Sequence, residues 1–583
     1  MMSNLLQKNS VPSSLSPLSQ WGLAGLAFFL VAFGQPAWLP WNGLLAAVGG
    51  YALFFRVLID IPSRKKRFGW AFLWFFAVQL VQMSWFLSHP FWYIYSVYLF
   101  IATWLGLQFG CIGLLIRPQL YREASLIKTI GYSLFVASLW TVLEWSRLFF
   151  LSGLSWNPIG LALTGNLYAL QMASLWGIFG LSFWVMFVNL LILYIWVCRR
   201  NKILPVCIGV VAAIIPYLYG VGQIALHKED SLQHLSVMLV QPAFPIEKTV
   251  ATQGRGIIQS VMDDWHQILQ ITAKHQDEDV DLIVLPEYVV SFGTYSFVYP
   301  LHHVMAVFMD VFHTHNLDFL PTPDFPFAAA QNTVNGPGLF VNNAYWMQAL
   351  SNYFHADVIA GLEDAEEVSP GVIEHYSTAQ FTHPQDSAYP ADADLFTPRY
   401  AKRVLVPMGE YIPFSFCKKL AERYGVFGSF TCGQEAVIMT SHGVPFSPSI
   451  CYEETFGDLI REGRQKGARL LVNLTSDVWY PDSRLPQQHF DHARLRTVEN
   501  GVPLIRACNT GITAAVDSFG RTLAAWGGEH PEDVEWIPGA LIVNVPIDTY
   551  ETPYARLGDK LIVGICLLII TIAAAVGIRQ RGG

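Results

Sequence analysis

Charge is scarce in this chain of 583 residues. Asp, Glu, Lys and Arg make up 14% of it, against roughly 25% in ordinary soluble proteins, which argues against a purely water-borne globule. No long tract of Lys and Arg is present, and the formal net charge is −8, so the footprint of a nucleic-acid binder is missing. The 8 cysteines show no paired spacing of the zinc type and no dense disulfide framework. A glycine-rich nucleotide loop is absent too, and no cofactor or metal is called for. What the chain has instead is apolar bulk: 53% hydrophobic residues, with 39 Phe and 19 Trp.

That bulk is unevenly spread. Residues 18–226 are almost continuous apolar segments, 228–556 read as a mixed globular domain, and 560–578 is apolar again. A helix that crosses a bilayer needs about 20 apolar residues. The pattern predicts spans near 18–35, 41–60, 68–87, 93–116, 127–148, 167–197, 203–224 and 560–578. The organisation expected is a seven-helix bundle over 1–227, a catalytic domain over 228–556 and a last membrane helix in 557–583. The first span lacks a basic leader and a small-residue cleavage site, so it reads as a retained helix. Arg64, Lys65, Lys66 and Arg67 fall between spans two and three, Arg117, Arg122 and Lys128 between four and five, and Arg199, Arg200 and Lys202 between six and seven. Arg579 and Arg581 follow the last span, whereas 36–40, 88–92 and 149–166 hold no Lys or Arg. Positive residues stay cytoplasmic, so the 228–556 domain is expected on the outer, periplasmic face.

In that domain Leu235–Gln241 and Asp281–Leu285 read as buried strands, the second delivering Glu287 at its C-terminal edge. Further strands are expected at Val404–Val406, Ser449–Tyr452, Arg469–Leu474, Leu504–Ala507 and Ala540–Val545, with helices at 255–276, 454–467 and 486–501. Alternating strand and helix define an α/β domain. Three reactive side chains punctuate it: Glu287, Lys402 and Cys451. A carboxylate, an ammonium and a thiol supply base, oxyanion stabiliser and nucleophile for acyl transfer. Each alone is commonplace: a carboxylate after a strand is often a helix cap, a Lys a solvated surface group and a free Cys a small buried hydrophobe, the reading given to Cys508. A helix start and a nearby Lys are expected to favour the Cys451 thiolate.

Taken together, with their flanks, these residues resemble the nitrilase superfamily. Leu285-Pro286-Glu287 resembles its base strand, Tyr400–Pro413 its Lys loop with a second glutamate at Glu410, and Ile450-Cys451-Tyr452-Glu453 its nucleophile motif. Asn473–Tyr480, Gln488-His489-Phe490 and Arg506–Thr513 are similar to its later blocks. Leu143–Arg147 and Ser152–Trp156 extend the likeness into the membrane part, where the whole chain resembles the bacterial apolipoprotein N-acyltransferases. That resemblance implies an eight-span polytopic helical bundle carrying an αββα sandwich, in the bacterial inner membrane. It also implies transfer of an acyl chain from a phospholipid to the α-amino group of a diacylated lipoprotein, through a thioester on Cys451. Glu287 is then the base, Lys402 and the N–H after Cys451 hold the oxyanion, Glu410 orients Lys402, and Tyr452 and Glu453 shape the pocket. A membrane-anchored amidase or hydrolase and an inactive lipid-binding module are the alternatives.

The chain also departs from the family pattern. A Trp is lacking in Ile246–Val250, and an Asn is lacking near Tyr376-Ser377-Thr378. Residues 291–357 form a longer, aromatic-rich stretch, expected as a mobile lid or lipid-contacting arm. Its His302-His303 and His313-Thr314-His315 have no Cys or carboxylate spacing to complete a metal site. Glu144 and Arg147 stand at i, i+3 near the outer end of span five, as an ion pair or a headgroup contact. Cys417 and Cys432 are candidates for a disulfide on the oxidising side.

Overall fold

The computed structural model describes residues 15–198, 202–227, 233–246, 257–333, 336–385, 399–414 and 429–579. Among the described residues, seven long helices fill the first part: α1 (Pro17–Ala32), α2 (Pro40–Ile59), α3 (Arg64–Gln82), α4 (Tyr93–Leu115), α5 (Leu126–Ser146), α6 (Ala173–Val197) and α7 (Ile203–Leu226). Small residues bring α3 and α4 together. A Cβ on Gly110 would lie 2.9 Å from Phe68, and one on Gly113 would lie 2.6 Å from Ala71, so only glycine admits this approach. A π turn at Ala46–Gly50 interrupts α2. The buried Asn189 of α6 answers it, accepting from Ala52 N at 2.8 Å and donating to Ala47 O at 2.7 Å. Glu144 and Arg147 are both buried, which settles their alternative: Arg147 lies 3.7 Å from Glu144 and donates to Gln108 at 2.7 Å, while Glu144 accepts from Ile159 N at 2.9 Å. They face the bundle interior rather than lipid headgroups.

The second part is two stacked sheets of six strands each, with helices on both outer faces. Its strands are β1 (His234–Gln241), β2 (Leu282–Val284), β3 (Tyr299–Pro300), β4 (Ala328–Thr333), β5 (Gly336–Val341), β6 (Asp357–Ser369), β7 (Val372–Thr382) and β8 (Tyr400–Ala401). They continue with β9 (Met439–Ser441), β10 (Val444–Ile450), β11 (Leu470–Thr475), β12 (Leu504–Cys508), β13 (Ala514–Val516), β14 (Thr522–Ala525) and β15 (Gly539–Pro546). One sheet runs β15-β1-β2-β6-β7-β8, the other β14-β13-β12-β11-β10-β9, and β3-β5-β4 form a small third sheet. The pleat sorts the side chains: Leu235, Val237 and Leu239 pack between the sheets, while Met238 and Val240 face the outer helices. Those helices are α8 (Ile257–Ala273), α9 (Leu301–Val311) and α10 (Asn343–Phe354) on the first sheet, and α11 (Gly457–Gln465) and α12 (Leu485–Asn500) on the second. The chain then enters α13 (Asp559–Arg579), which packs on α5. Among the described residues, α2, α4, α6, α7, α13 and Leu126–Phe149, which contains α5, are long and apolar enough to cross a membrane.

Three expectations need correction. Val404–Val406 is not a strand, because its amides bond to side chains: Val404 N donates to Glu453 at 3.1 Å and Val406 N to Glu410 at 2.7 Å. The helix expected from 454 begins at Gly457, after a 3-10 turn over Cys451–Thr455. The 291–357 stretch is not one mobile arm, since Trp346 on α10 is fully buried and stacks on Trp265 of α8, with centroids 5.4 Å apart. Most of its aromatic residues join the outer core of the first sheet. Cys417, Arg199 and Arg200 lie outside the described residues, so neither the Cys417–Cys432 pairing nor that loop's charge has a structural account.

Candidate active site

Three strand ends converge on the site. Glu287 follows β2, where Leu285 N donates to Ile359 O at 2.8 Å and Gly361 N donates to Pro286 O at 3.1 Å. A Cβ on Gly361 would lie 2.5 Å from Glu287 Cα, so the segment carrying Glu287 lies against bare backbone. Lys402 follows β8, held by its N–H to Ser377 O and by Gly433 N to its own carbonyl, both at 2.8 Å. Cys451 follows β10 in the left-handed region, at φ 51°.

Geometry joins the three. Lys402 Nζ lies 2.8 Å from Glu287 Oε1 and 2.6 Å from Glu410 Oε1. The other oxygen of Glu410 accepts from Val406 N at 2.7 Å, which locks the loop that carries it. The Cys451 thiol interacts with the Glu287 carboxyl and favours its charged form. Lys402 and Glu287 are withdrawn from water, 1% and 5% exposed, whereas Cys451 is half-buried. Burial raises the Glu287 carboxyl above the ordinary range, with the Lys402 ammonium pulling it back. Burial disfavours charge on Lys402 as well, yet the two carboxylates outweigh it and hold the ammonium well above its usual range. Cys451 is pushed well above the ordinary thiol value, first by burial and then by Glu287. The thiolate expected from a helix start is therefore not the resting form. The α-helix starts at Gly457, so its dipole is displaced from the sulfur.

Glu453 does something other than shape a pocket. Fully buried, it accepts from Ile450 N at 2.8 Å, Arg403 N at 2.6 Å, Val404 N at 3.1 Å and Tyr400 OH at 2.8 Å. It staples the loop after Lys402 to the turn that carries Cys451. Tyr452 points the other way, donating to Gly153 O at 2.8 Å and stacking on Trp156, both from the stretch between α5 and α6. Ser152 donates to Tyr411 at 2.8 Å, and Trp85 Nε1 donates to Gln488 on α12 at 2.8 Å. One apolar cluster consequently runs from the membrane helices through Tyr452 and Phe456 to Leu495.

Reasoning on single residues missed His489. Its Nδ1 lies 2.9 Å from Asp477 and its Nε2 3.2 Å from the Cys451 carbonyl. Both residues fall in blocks that resembled the family, Asn473–Tyr480 and Gln488–Phe490, but 38 positions separate His489 from Cys451.

The class follows from the sandwich and its Glu–Lys–Cys set: residues 250–551 match the Carbon-nitrogen hydrolase family. Residues 27–191 match the Apolipoprotein N-acyltransferase N-terminal domain. The apolipoprotein N-acyltransferase of Chlamydia pneumoniae is 31% identical over 559 residues, covering 92% of this chain and 93% of that protein. That of Chlamydia trachomatis serovar D is also 31% identical, over 94% of this chain and 96% of its own length. An amidase from Nesterenkonia sp. AN1, solved as a mutant with an acetamide moiety on its active-site cysteine, aligns at 16% identity and a TM-score of 0.32, over 57% of this chain and 95% of that one. The chain belongs to the apolipoprotein N-acyltransferase family.

Proposed function

We propose that this protein N-acylates lipoproteins through a Cys451 thioester, using phospholipid as donor and a diacylated lipoprotein as acceptor. The observation that carries the chemistry is the Lys402 ammonium held between Glu287 and Glu410. Glu287 takes the thiol proton as sulfur attacks the ester carbonyl of the donor. Lys402 and the Tyr452 N–H hold the oxyanion. Collapse expels the lysophospholipid oxygen, which receives the proton from Glu287. The lipoprotein α-amine then attacks the thioester and gives its proton to Glu287. Sulfur leaves, is reprotonated, and an amide remains. Proton and acyl group are balanced over the two halves, and no nucleotide enters.

In this reading the protein spans the inner membrane eight times, with α1 and α3 joining the six longer spans, and 228–556 lies on the periplasmic side. Domain limits at 227 and 557 put α7 and α13 on either side of the catalytic part. The loop charges support this orientation. A reporter fused after His227 tests it: activity confined to the cytoplasm overturns the sidedness. For the chemistry, purified protein is incubated with acyl-labelled phospholipid and then given a diacylated lipopeptide. Label is expected first on Cys451 and then on the peptide amine. Triacylated product from Cys451→Ala overturns the nucleophile assignment, and free fatty acid without product favours a hydrolase.

A further inference from the structure

Beneath the nucleophile turn lies a closed set of buried charges that the triad does not include. His489 on α12 is 1% exposed and has an acceptor on each side. Nδ1 lies 2.9 Å from Asp477 Oδ1, whereas Nε2 lies 3.2 Å from the Cys451 carbonyl oxygen and 3.5 Å from Glu454 Oε2. Arg506, fully buried, closes the ring with Nε 3.0 Å from Glu454 and NH2 3.5 Å from Asp477. A carbonyl oxygen only accepts, so His489 meets the Cys451 carbonyl through an Nε2–H. Asp477 is fixed in turn: a Cβ on Gly511 would come within 2.5 Å of Oδ2.

We propose that His489 is a positioning residue for the oxyanion hole, acting through the Cys451–Tyr452 peptide. This rests on the thioester reading above. The carbonyl that His489 grips and the Tyr452 N–H belong to one peptide unit. That unit is planar and trans, so its C=O and N–H point in opposite directions. Fixing the oxygen on the α12 side fixes the N–H on the substrate side. The grip matters because Cys451 sits at φ 51°, a conformation that a non-glycine residue keeps only when its surroundings hold it. Donation to the carbonyl also polarises the peptide and strengthens its N–H as a donor. Tyr452 stands in the first turn of the Cys451–Thr455 3-10 segment, where a helix leaves its amides without partners of its own.

The role predicts a split that a structural residue would not give. Thioester formation passes through an oxyanion, whereas alkylation of the same sulfur by iodoacetamide does not. His489→Gln keeps a donor near the Nε2 position, while His489→Asn places its amide near Nδ1 and loses the grip on the carbonyl. In the full-length protein, His489→Asn is expected to slow acyl transfer from labelled phospholipid to Cys451 by roughly 100- to 1,000-fold, the range for losing one oxyanion donor. Its iodoacetamide rate is expected to stay within about threefold of wild type, and His489→Gln to keep thioester formation within about tenfold. Equal losses in both reactions overturn the proposal, as does a His489→Asn thioester rate like wild type. If the Asn variant does not fold, a folded Gln variant slowed beyond about 100-fold overturns it too. Failure of the underlying reading is separate: wild type would then form no thioester at all.

Discussion

Replacing Lys402 by methionine keeps the side chain's length and removes its charge. At an effective dielectric of about 20, its 2.8 Å contact with Glu287 is worth about 6 kcal/mol before desolvation. Each buried ion gives back several kcal/mol in lost hydration, so the pair itself is not a large net source of stability. Breaking it is another matter, because Glu287 and Glu410 are left facing one another without a cation. A loss of about 3–5 kcal/mol is expected for such an uncompensated buried charge. The loss is pH-dependent. Burial already raises Glu287, and removing Lys402 removes the chief influence lowering it. A carboxyl whose folded pKa is raised is at its best below the unfolded value of about 4.3 and loses stability as pH rises through the folded value. Lys402→Met should therefore melt much as wild type does near the unfolded carboxyl value and several degrees below it in alkaline buffer. Thermal unfolding in detergent measures the gap, and thioester formation should fall by about 100-fold or more. Adding Glu410→Gln should recover part of the stability and none of the rate. A Lys402→Met protein as stable as wild type in alkaline buffer refutes the reasoning, as does one that is unstable yet still forms thioester at the native rate.

Gly361→Ala should displace Glu287, because the new Cβ meets its Cα at 2.5 Å; a shift on the order of 1 Å lowers kcat by about 100-fold, read from single-turnover acylation. Thioester formation should rise with pH through one ionisation lying above the ordinary carboxylate range, since Glu287 must be ionised to accept the proton and burial raises it. Thiolate absorbance should stay absent at neutral pH, because the Cys451 thiol is held well above its usual value; a rate that tracks a thiolate signal counts against Glu287 as base. Trp85→Phe removes the 2.8 Å donor to Gln488 and leaves a buried acceptor unmatched, lowering stability by about 1–3 kcal/mol. Acylation at saturating donor should change by less than about threefold, because Trp85 contacts α12 and not the triad.

What the sequence disclosed and what it hid divide along a physical line. Leu235–Gln241 and Asp281–Leu285 were legible because a strand buried on both faces is a continuous apolar run that a proline ends. The triad was legible through its neighbours, since Lys402 or Cys451 alone says little. Long-range polar contacts were not legible. Val404–Val406 has a strand's composition, but Glu453, about fifty positions away, takes the Val404 amide. Helix α10 hid for the opposite reason. Its Asn343, Gln348 and Asn352 look like loop residues, yet all are buried and bonded, Asn343 accepting from Trp265 at 2.9 Å and from Tyr299 at 2.7 Å. His489 belongs to the same class: its meaning lies in two contacts that only the folded chain creates.

Those contacts also explain why the catalytic part is joined to membrane helices instead of merely tethered to them. Taking an acyl chain out of lipid costs ~0.8 kcal/mol per methylene, or roughly 10 kcal/mol for a chain of about a dozen. Few single contacts in a water-exposed pocket offset that. The cost does not arise if the ester bond is reached while the chain stays in the bilayer. The nucleophile turn has the anchorage this requires: Tyr452, next to Cys451, bonds to Gly153 beyond α5, and Ser155 pairs with Thr455 four residues on. On the far side, Gln488, next to His489, takes the Trp85 bond. The residues flanking the sulfur and the one flanking His489 are thus both fastened to the apolar half. A displacement of that half would move the nucleophile and the oxyanion donor together, preserving their mutual geometry while their height relative to the lipid changes.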